Sequence, residues 1–301
     1  MGVFTANPLF YMISGYLFFY KPIDSVWEVF PKIRKRFKTL FIPFVIAACV
    51  FVATFIVIQH LPGASAHINS VSYTEQLRTL PLGDILLSMF YMANGTHYPW
   101  AFHLWFLRDL CIIVALSPLL YLMRKYLRWW CIPLTLAFHL LCSQYIFSWG
   151  LFWFMLGSLT INKLDQMKSW IYPCLFFVLV VCKLLWFNHK QIFYTEVFIL
   201  FLGYITYWNI YDRIVPPTFR LKDNKWLSMA CGYVFFVYLF HDPVIQIFMK
   251  GIPVIMGGPS NLSYTVAYFV SPCITYLLFM GIGRLLDLYC HPLYKVLIGG
   301  R

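Results

Sequence analysis

Lys32-Ile33-Arg34-Lys35-Arg36-Phe37-Lys38-Thr39 runs directly into Leu40-Phe41-Ile42-Pro43-Phe44-Val45-Ile46-Ala47-Ala48-Cys49-Val50-Phe51-Val52-Ala53-Thr54-Phe55-Ile56-Val57-Ile58, so five cations precede 19 uncharged residues. At 1.5 Å per residue that apolar run covers about 28 Å as a helix, close to the thickness of bilayer hydrocarbon. It neither alternates nor leaves a polar stripe, which argues against a half-buried strand or a surface helix of a soluble protein. Working outward, comparable runs lie at approximately 4 to 20, 104 to 122, 129 to 147, 149 to 161, 170 to 187, 193 to 211, 227 to 249 and 263 to 289. With 40 to 58 they make nine candidate spans of an all-α, polytopic transmembrane helix bundle. Residues 85 to 93 are too short to cross and read as a re-entrant or interfacial piece.

Composition agrees. Apolar residues make up 61% of the chain, aromatics 21% and charged residues 11%, and the last figure is less than half of what soluble domains carry. That excludes a soluble globular domain, disorder and collagen. Nine cysteines, none in a CxxC pair, are scattered through the sequence, mostly in apolar segments, and read as small hydrophobes rather than as a disulfide framework or a metal site. No metal is expected.

The net charge of +12 would suggest nucleic acid in a soluble protein, but its distribution says otherwise. Seventeen of the 23 basic residues fall at 21 to 39, 123 to 128, 162 to 169, 212 to 226 and in the tail, whereas the intervening loops hold only Arg78, Lys190 and Lys250. By the positive-inside rule the first set, and with it the C-terminus, faces the cytoplasm. Nine spans then place Met1 outside although no cation precedes Lys21, so an earlier helix is expected to be missing. With no internal repeat and no linker, residues 1–301 read as a single membrane domain. The longest outer loop, about 59 to 103, is placed to cover a site on that face.

Three constellations carry chemistry. The basic run around Arg34, Lys35, Arg36 and Lys38 suits anionic lipid head groups or a phosphorylated cytoplasmic ligand. At the outer start of a span, His103-Leu104-Trp105-Phe106-Leu107-Arg108-Asp109 brings a guanidinium and a carboxylate into hydrocarbon. Arg108 and Asp109 are adjacent and do not share a helix face, so at least one should seek a partner elsewhere. Tyr238-Leu239-Phe240-His241-Asp242-Pro243 lies deep in an apolar run. Counting from Leu227 puts His241 about 21 Å from the inner end, and Arg108 about 24 Å from the same reference, so the two are at a depth where they can meet. Lys183 with Glu196, and Arg284 with Asp287, read as ion pairs. His139 reads as a hydrogen-bonded bundle residue, and His60, His67 and His97 show no metal-ligand spacing.

Taken in order, Phe10-Tyr11-Met12-Ile13-Ser14-Gly15-Tyr16-Leu17, Lys35-Arg36-Phe37-Lys38-Thr39-Leu40-Phe41-Ile42-Pro43, His103-Leu104-Trp105-Phe106-Leu107, Tyr238-Leu239-Phe240-His241 and Leu297-Ile298-Gly299-Gly300-Arg301 resemble the motifs of the acyltransferase 3 family of integral membrane acyltransferases. The resemblance implies a ten-helix bundle in a bacterial inner membrane. Such a bundle passes an acyl group, usually acetyl from cytoplasmic acetyl-CoA, to a hydroxyl of a surface glycan or lipid-linked sugar. On this reading Arg34, Lys35, Arg36 and Lys38 hold the phosphates of coenzyme A, while His241, Trp105 and Arg108 line the transfer site. The chain departs from the pattern in two places. Thr39 stands where the paired-basic motif has Arg or Lys, and no His precedes His60, although the family carries one upstream of Ser-Gly. Two other readings stand beside this one: a transporter or flippase, for which paired broken helices or a two-fold repeat would speak and neither is evident in the sequence, and a non-catalytic truncated remnant.

Overall fold

The structure, a computed structural model, describes residues 2–60, 81–91, 98–142, 147–160, 167–186, 193–216 and 218–300, without the side chains of 2–6, 55, 58–60, 184, 186 and 193–196. No strand occurs among the described residues. In chain order the α-helices are α1 (Gly2–Phe19), α2 (Val29–Arg36), α3 (Ile42–His60), α4 (Leu82–Ser88), α5 (Trp105–Ala115), α6 (Ser117–Tyr126), α7 (Cys131–Leu141), α8 (Phe147–Thr160), α9 (Ile171–Trp186), α10 (Phe193–Ile214), α11 (Lys225–Phe240), α12 (Asp242–Ile255), α13 (Asn261–Tyr289) and α14 (His291–Leu297). Every expected span meets a helix, and α4 occupies part of the short 85 to 93 piece. Much of the loop expected at 59 to 103, with His67 and His97, lies outside the described residues.

Helix length departs from expectation more than helix presence does. Among the described residues two helices, Val26–Thr54 and Asn261–Tyr289, are long and apolar enough to cross a membrane, and the count rises to four if each of two bent pairs is one span. The bends fall where straight spans were expected at 104 to 122 and 227 to 249: α5 and α6 meet at 61°, α11 and α12 at 84°. Pro118 and Pro243, each in the first turn of the second helix, set both breaks, because proline has no N–H for the preceding turn and its ring collides with the carbonyl four residues back.

The chain forms two compact units, Met1–Ile33 with Ile112–Arg220, and Arg34–Cys111 with Leu221–Arg301. In the first, α8 is enclosed: Ser148 and every residue from Gly150 to Ser158 are buried. Its closest partner is α1. A Cβ on Gly15 would run into the Phe154 carbonyl, one on Gly157 into the Met12 backbone, and one on Gly150 would sit 2.6 Å from the Tyr11 ring. Between lipid-embedded helices there is no water to expel, so close backbone approach and dispersion contacts supply the attraction, and only glycine permits it here. The Ser14-Gly15 pair of the first motif is thereby a packing element.

The second unit shows the inverse of a soluble helix. Along α13, Ser263, Ala267, Ser271, Thr275, Phe279 and Gly283 recur every four residues and are buried, whereas Tyr268, Phe269, Leu277, Leu285 and Leu288 are exposed. Small residues inside and large apolar ones outside are what a lipid-facing helix presents. Between α2 and α3, Phe37–Phe41 forms a π-helical turn. Pro43 offers no N–H to the Thr39 carbonyl, and the widened turn accommodates that loss without ending the helix. Gly299, at φ +72°, lies so close to Thr39 that a Cβ would stand 2.5 Å from its Cα, which brings the closing Leu297-Ile298-Gly299-Gly300 segment onto this turn.

Gly15→Ala and Gly157→Ala should each cost about 2 kcal/mol or more, because the added methyl meets backbone and not a flexible side chain. Thermal unfolding in detergent should show lowered midpoints for both and no change for Gly281→Ala, where a Cβ meets nothing within 4 Å. Equal midpoints in all three would refute the tight packing of α1 on α8.

Candidate active site

The break at His241 is built from the backbone outward. His241 closes α11 by donating its N–H to the Val237 carbonyl at 3.0 Å, and its own carbonyl accepts the first bond of α12 from Ile245 at 3.0 Å. Pro243 would have supplied the donor for the Leu239 carbonyl had it been any other residue. That carbonyl is met by the imidazole of His103, whose Nε2 stands 3.1 Å away. His241 does the same within its own helix, with Nδ1 2.9 Å from the Tyr238 carbonyl and 3.2 Å from that of Val237.

These bonds assign the ring protons. A carbonyl only accepts, so His103 carries hydrogen on Nε2 and His241 on Nδ1. In the neutral rings the lone pairs are then on His241 Nε2 and His103 Nδ1. The latter lies 3.8 Å from Asp242 Oδ2, so a proton taken up there would complete a His–Asp ion pair. The two rings meet edge to face at 5.3 Å between centroids. The Tyr238 hydroxyl donates to the His103 carbonyl at 2.9 Å, and the Phe51 ring stands 5.5 Å from the imidazole. His103 is 6% exposed and Asp242 24%.

Arg108 finds a partner elsewhere, as expected, and bonds its neighbour as well. Its Nε and Nη2 both donate to Oδ1 of the adjacent Asp109, at 2.9 and 2.7 Å, and Nη1 donates to the Phe90 carbonyl at 2.9 Å. Neighbouring Cβ atoms diverge by about 100° on a helix, but the guanidinium stands far enough along its stem to fold back onto the next carboxylate. With Asp109 fully buried, the pair forms where no water can substitute. Beside His241 the structure sets His103. Trp105, one turn before Arg108, stands edge-on to Tyr98 at 6.4 Å.

Of the basic run, Arg34, Lys35 and Lys38 are exposed and Arg36 is half-buried. Arg34 belongs to the last turn of α2, and Lys38 to the π-helical turn against which Gly299 packs. The expected Arg284–Asp287 pair is replaced by contacts of Asp287 with His291, at 2.7 Å, and with the Tyr233 hydroxyl, at 3.4 Å. These residues border a cavity of about 300 Å³ that Tyr294 and Lys295 also line. Burial pushes the Tyr294 phenol up to about 12, which keeps it neutral at physiological pH. His139 meets Ser148 at 2.8 Å, as expected of a satisfied bundle residue. The side chains of Glu196 and His60, and with them the expected Lys183–Glu196 pair, lie outside what the structure describes.

His103 is the residue the sequence reading passed over. Its signal was present, as the first residue of the His-Leu-Trp-Phe-Leu motif, but its role depends on a carbonyl 136 residues away. Arg108→Leu would leave the Asp109 carboxylate buried without its cation and should cost about 3–5 kcal/mol. Denaturant unfolding should show that loss and its recovery in Arg108→Leu/Asp109→Leu; equal stability of the single variant and the parent would overturn the pairing.

A break in a lipid-facing helix that gathers two imidazoles and a carboxylate is a place for proton transfer. In a comparison with known sequences, the model of the acyltransferase 3 family, described as an acyltransferase domain, matches residues 2–280. No curated protein and no solved structure gives a significant match. With a family match over most of the chain, lipid-facing helices and a polar centre at a helix break, the protein belongs to the acyltransferase 3 family of integral membrane acyltransferases.

Proposed function

We propose that the protein transfers an acyl group, most simply acetyl, from cytoplasmic acyl-CoA to a hydroxyl of an extracytoplasmic glycan or lipid-linked sugar in a bacterial inner membrane. The observation that carries this reading is the state of His241: with Nδ1 bound to backbone carbonyls, its Nε2 is left as the base. The acceptor hydroxyl gives its proton to Nε2 as its oxygen attacks the thioester carbonyl. The tetrahedral intermediate collapses with loss of the C–S bond, and the coenzyme A sulfur takes the proton back from the imidazolium. The neighbouring His103 and Asp242 stabilise positive charge on His241 while it exists. Arg108 would offset charge on the oxyanion, and Trp105 would border the acceptor.

On the donor side, Arg34, Lys35, Arg36 and Lys38 hold the phosphates of coenzyme A, a role their exposed or half-buried positions suit. On this reading the basic segments, this surface and the C-terminus share the cytoplasmic side, as the positive-inside rule favours. The whole chain then acts as one membrane domain. A second reading has a specific observation behind it: two bent helix pairs, which transporters use to form midplane sites, are present where the sequence showed none. Acyl transfer measured chemically separates the two, since a transporter moves its substrate unmodified.

Membranes bearing the protein should move label from acetyl-CoA to surface glycan, and His241→Gln should lower that rate by about 10²–10⁴-fold. Undiminished turnover in His241→Gln would remove it from the mechanism. Arg36→Ala should raise the KM for acetyl-CoA with a smaller effect on kcat, and an unchanged dependence on acetyl-CoA concentration would exclude the phosphate role.

A further inference from the structure

A second cavity, of about 600 Å³, lies wholly within the first unit and takes no part in acyl transfer as described above. Tyr16, Phe19 and Tyr20 of the α1 end line it, with Asp24 from the connector, Tyr121, Arg124 and Lys125 of α6, and Ser158 near the end of α8. We propose that this cavity binds a phosphate group, presented either by a phospholipid head group or by a soluble phosphate ester.

Three observations carry the proposal. The guanidinium of Arg124 lies 4.9 Å above the Phe19 ring and donates to the Phe19 carbonyl at 3.5 Å. The ring and the carbonyl together hold the guanidinium in place, and a planar fork with five N–H donors suits phosphate oxygens. Lys125 adds a second cation, 5.7 Å from the Tyr121 ring centre. Capping does not require that charge: the carbonyls ending α1 are already met by Arg124 and by Lys32, whose Nζ reaches the Phe18 carbonyl at 3.1 Å and that of Lys21 at 3.4 Å. Three tyrosines also line the cavity, one of them, Tyr121, tied to the Asp24 carbonyl at 2.8 Å. Against two cations stands one carboxylate, that of Asp24. The volume lies within the range of small-molecule sites, so a phosphate with an attached organic body fits and a bare phosphate would leave it largely unfilled.

The test uses the purified chain in phosphate-free maltoside micelles with inorganic pyrophosphate as probe, followed by calorimetry, and native mass spectrometry to count retained phosphatidylglycerol. Lys125→Ala and Arg124→Gln should weaken pyrophosphate binding or phosphatidylglycerol retention by about tenfold or more, in line with loss of a charge-assisted hydrogen bond. Arg220→Ala, an exposed charge change elsewhere in the unit, should leave both unaltered. Lys125→Ala removes no carbonyl contact and keeps the test valid if Arg124→Gln fails to fold. Loss, on transfer to phosphatidylglycerol nanodiscs, of the pyrophosphate binding that depends on Lys125 assigns the site to lipid, and its persistence assigns it to a soluble ester. Pyrophosphate binding and lipid retention that both match the parent in Lys125→Ala overturn the proposal.

Discussion

The missing N–H of Pro243 is the point on which the second unit turns. In hydrocarbon an unmet carbonyl costs several kcal/mol, because no water is there to bond it. Leu239 loses its donor at the break and His103 supplies one. That bond, with the one from the Tyr238 hydroxyl to the His103 carbonyl, ties the segment leading into α5 to the end of α11 and brings His103 against His241 and Asp242. A structural defect and a chemical centre thus have one origin.

The same constraint explains the other polar groups inside the bundle. Arg108 folds back on Asp109 because each would otherwise be a lone charge in an apolar setting. Lys32 and Arg124 meet the carbonyls that end α1, and Asn209 donates to the Met167 carbonyl. The buried Arg108–Asp109 bonds do not compete with water, so they hold their element more firmly than a surface pair would. Around them the apolar residues contribute contact and little direction, and glycines decide where helices approach most closely.

The motifs shared with the family divide by role once placed. Ser14-Gly15 lets α1 lie on α8, and Gly299 lets the tail lie on the π turn at Thr39. Arg34, Lys35 and Lys38 remain at the surface, available to a ligand. His103 and His241 come together at the helix break. Packing and chemistry are therefore carried by different residues of motifs that look alike as strings.

Helicity, lipid exposure and the segregation of charge were legible in the sequence, because they depend on the local density of apolar side chains and on where cations fall between runs. His241 stood out for a similar reason: an ionisable group in an apolar stretch needs no partner to be noticed. Pro118 and Pro243 were equally visible, but the angles they impose, 61° and 84°, depend on what packs around each break. The placing of His103 beside His241 and of Arg108 against Asp109 belonged to tertiary structure alone. It is set by which distant donor reaches the Leu239 carbonyl and by the reach of an arginine stem to its own neighbour, and neither distance is written in the order of residues.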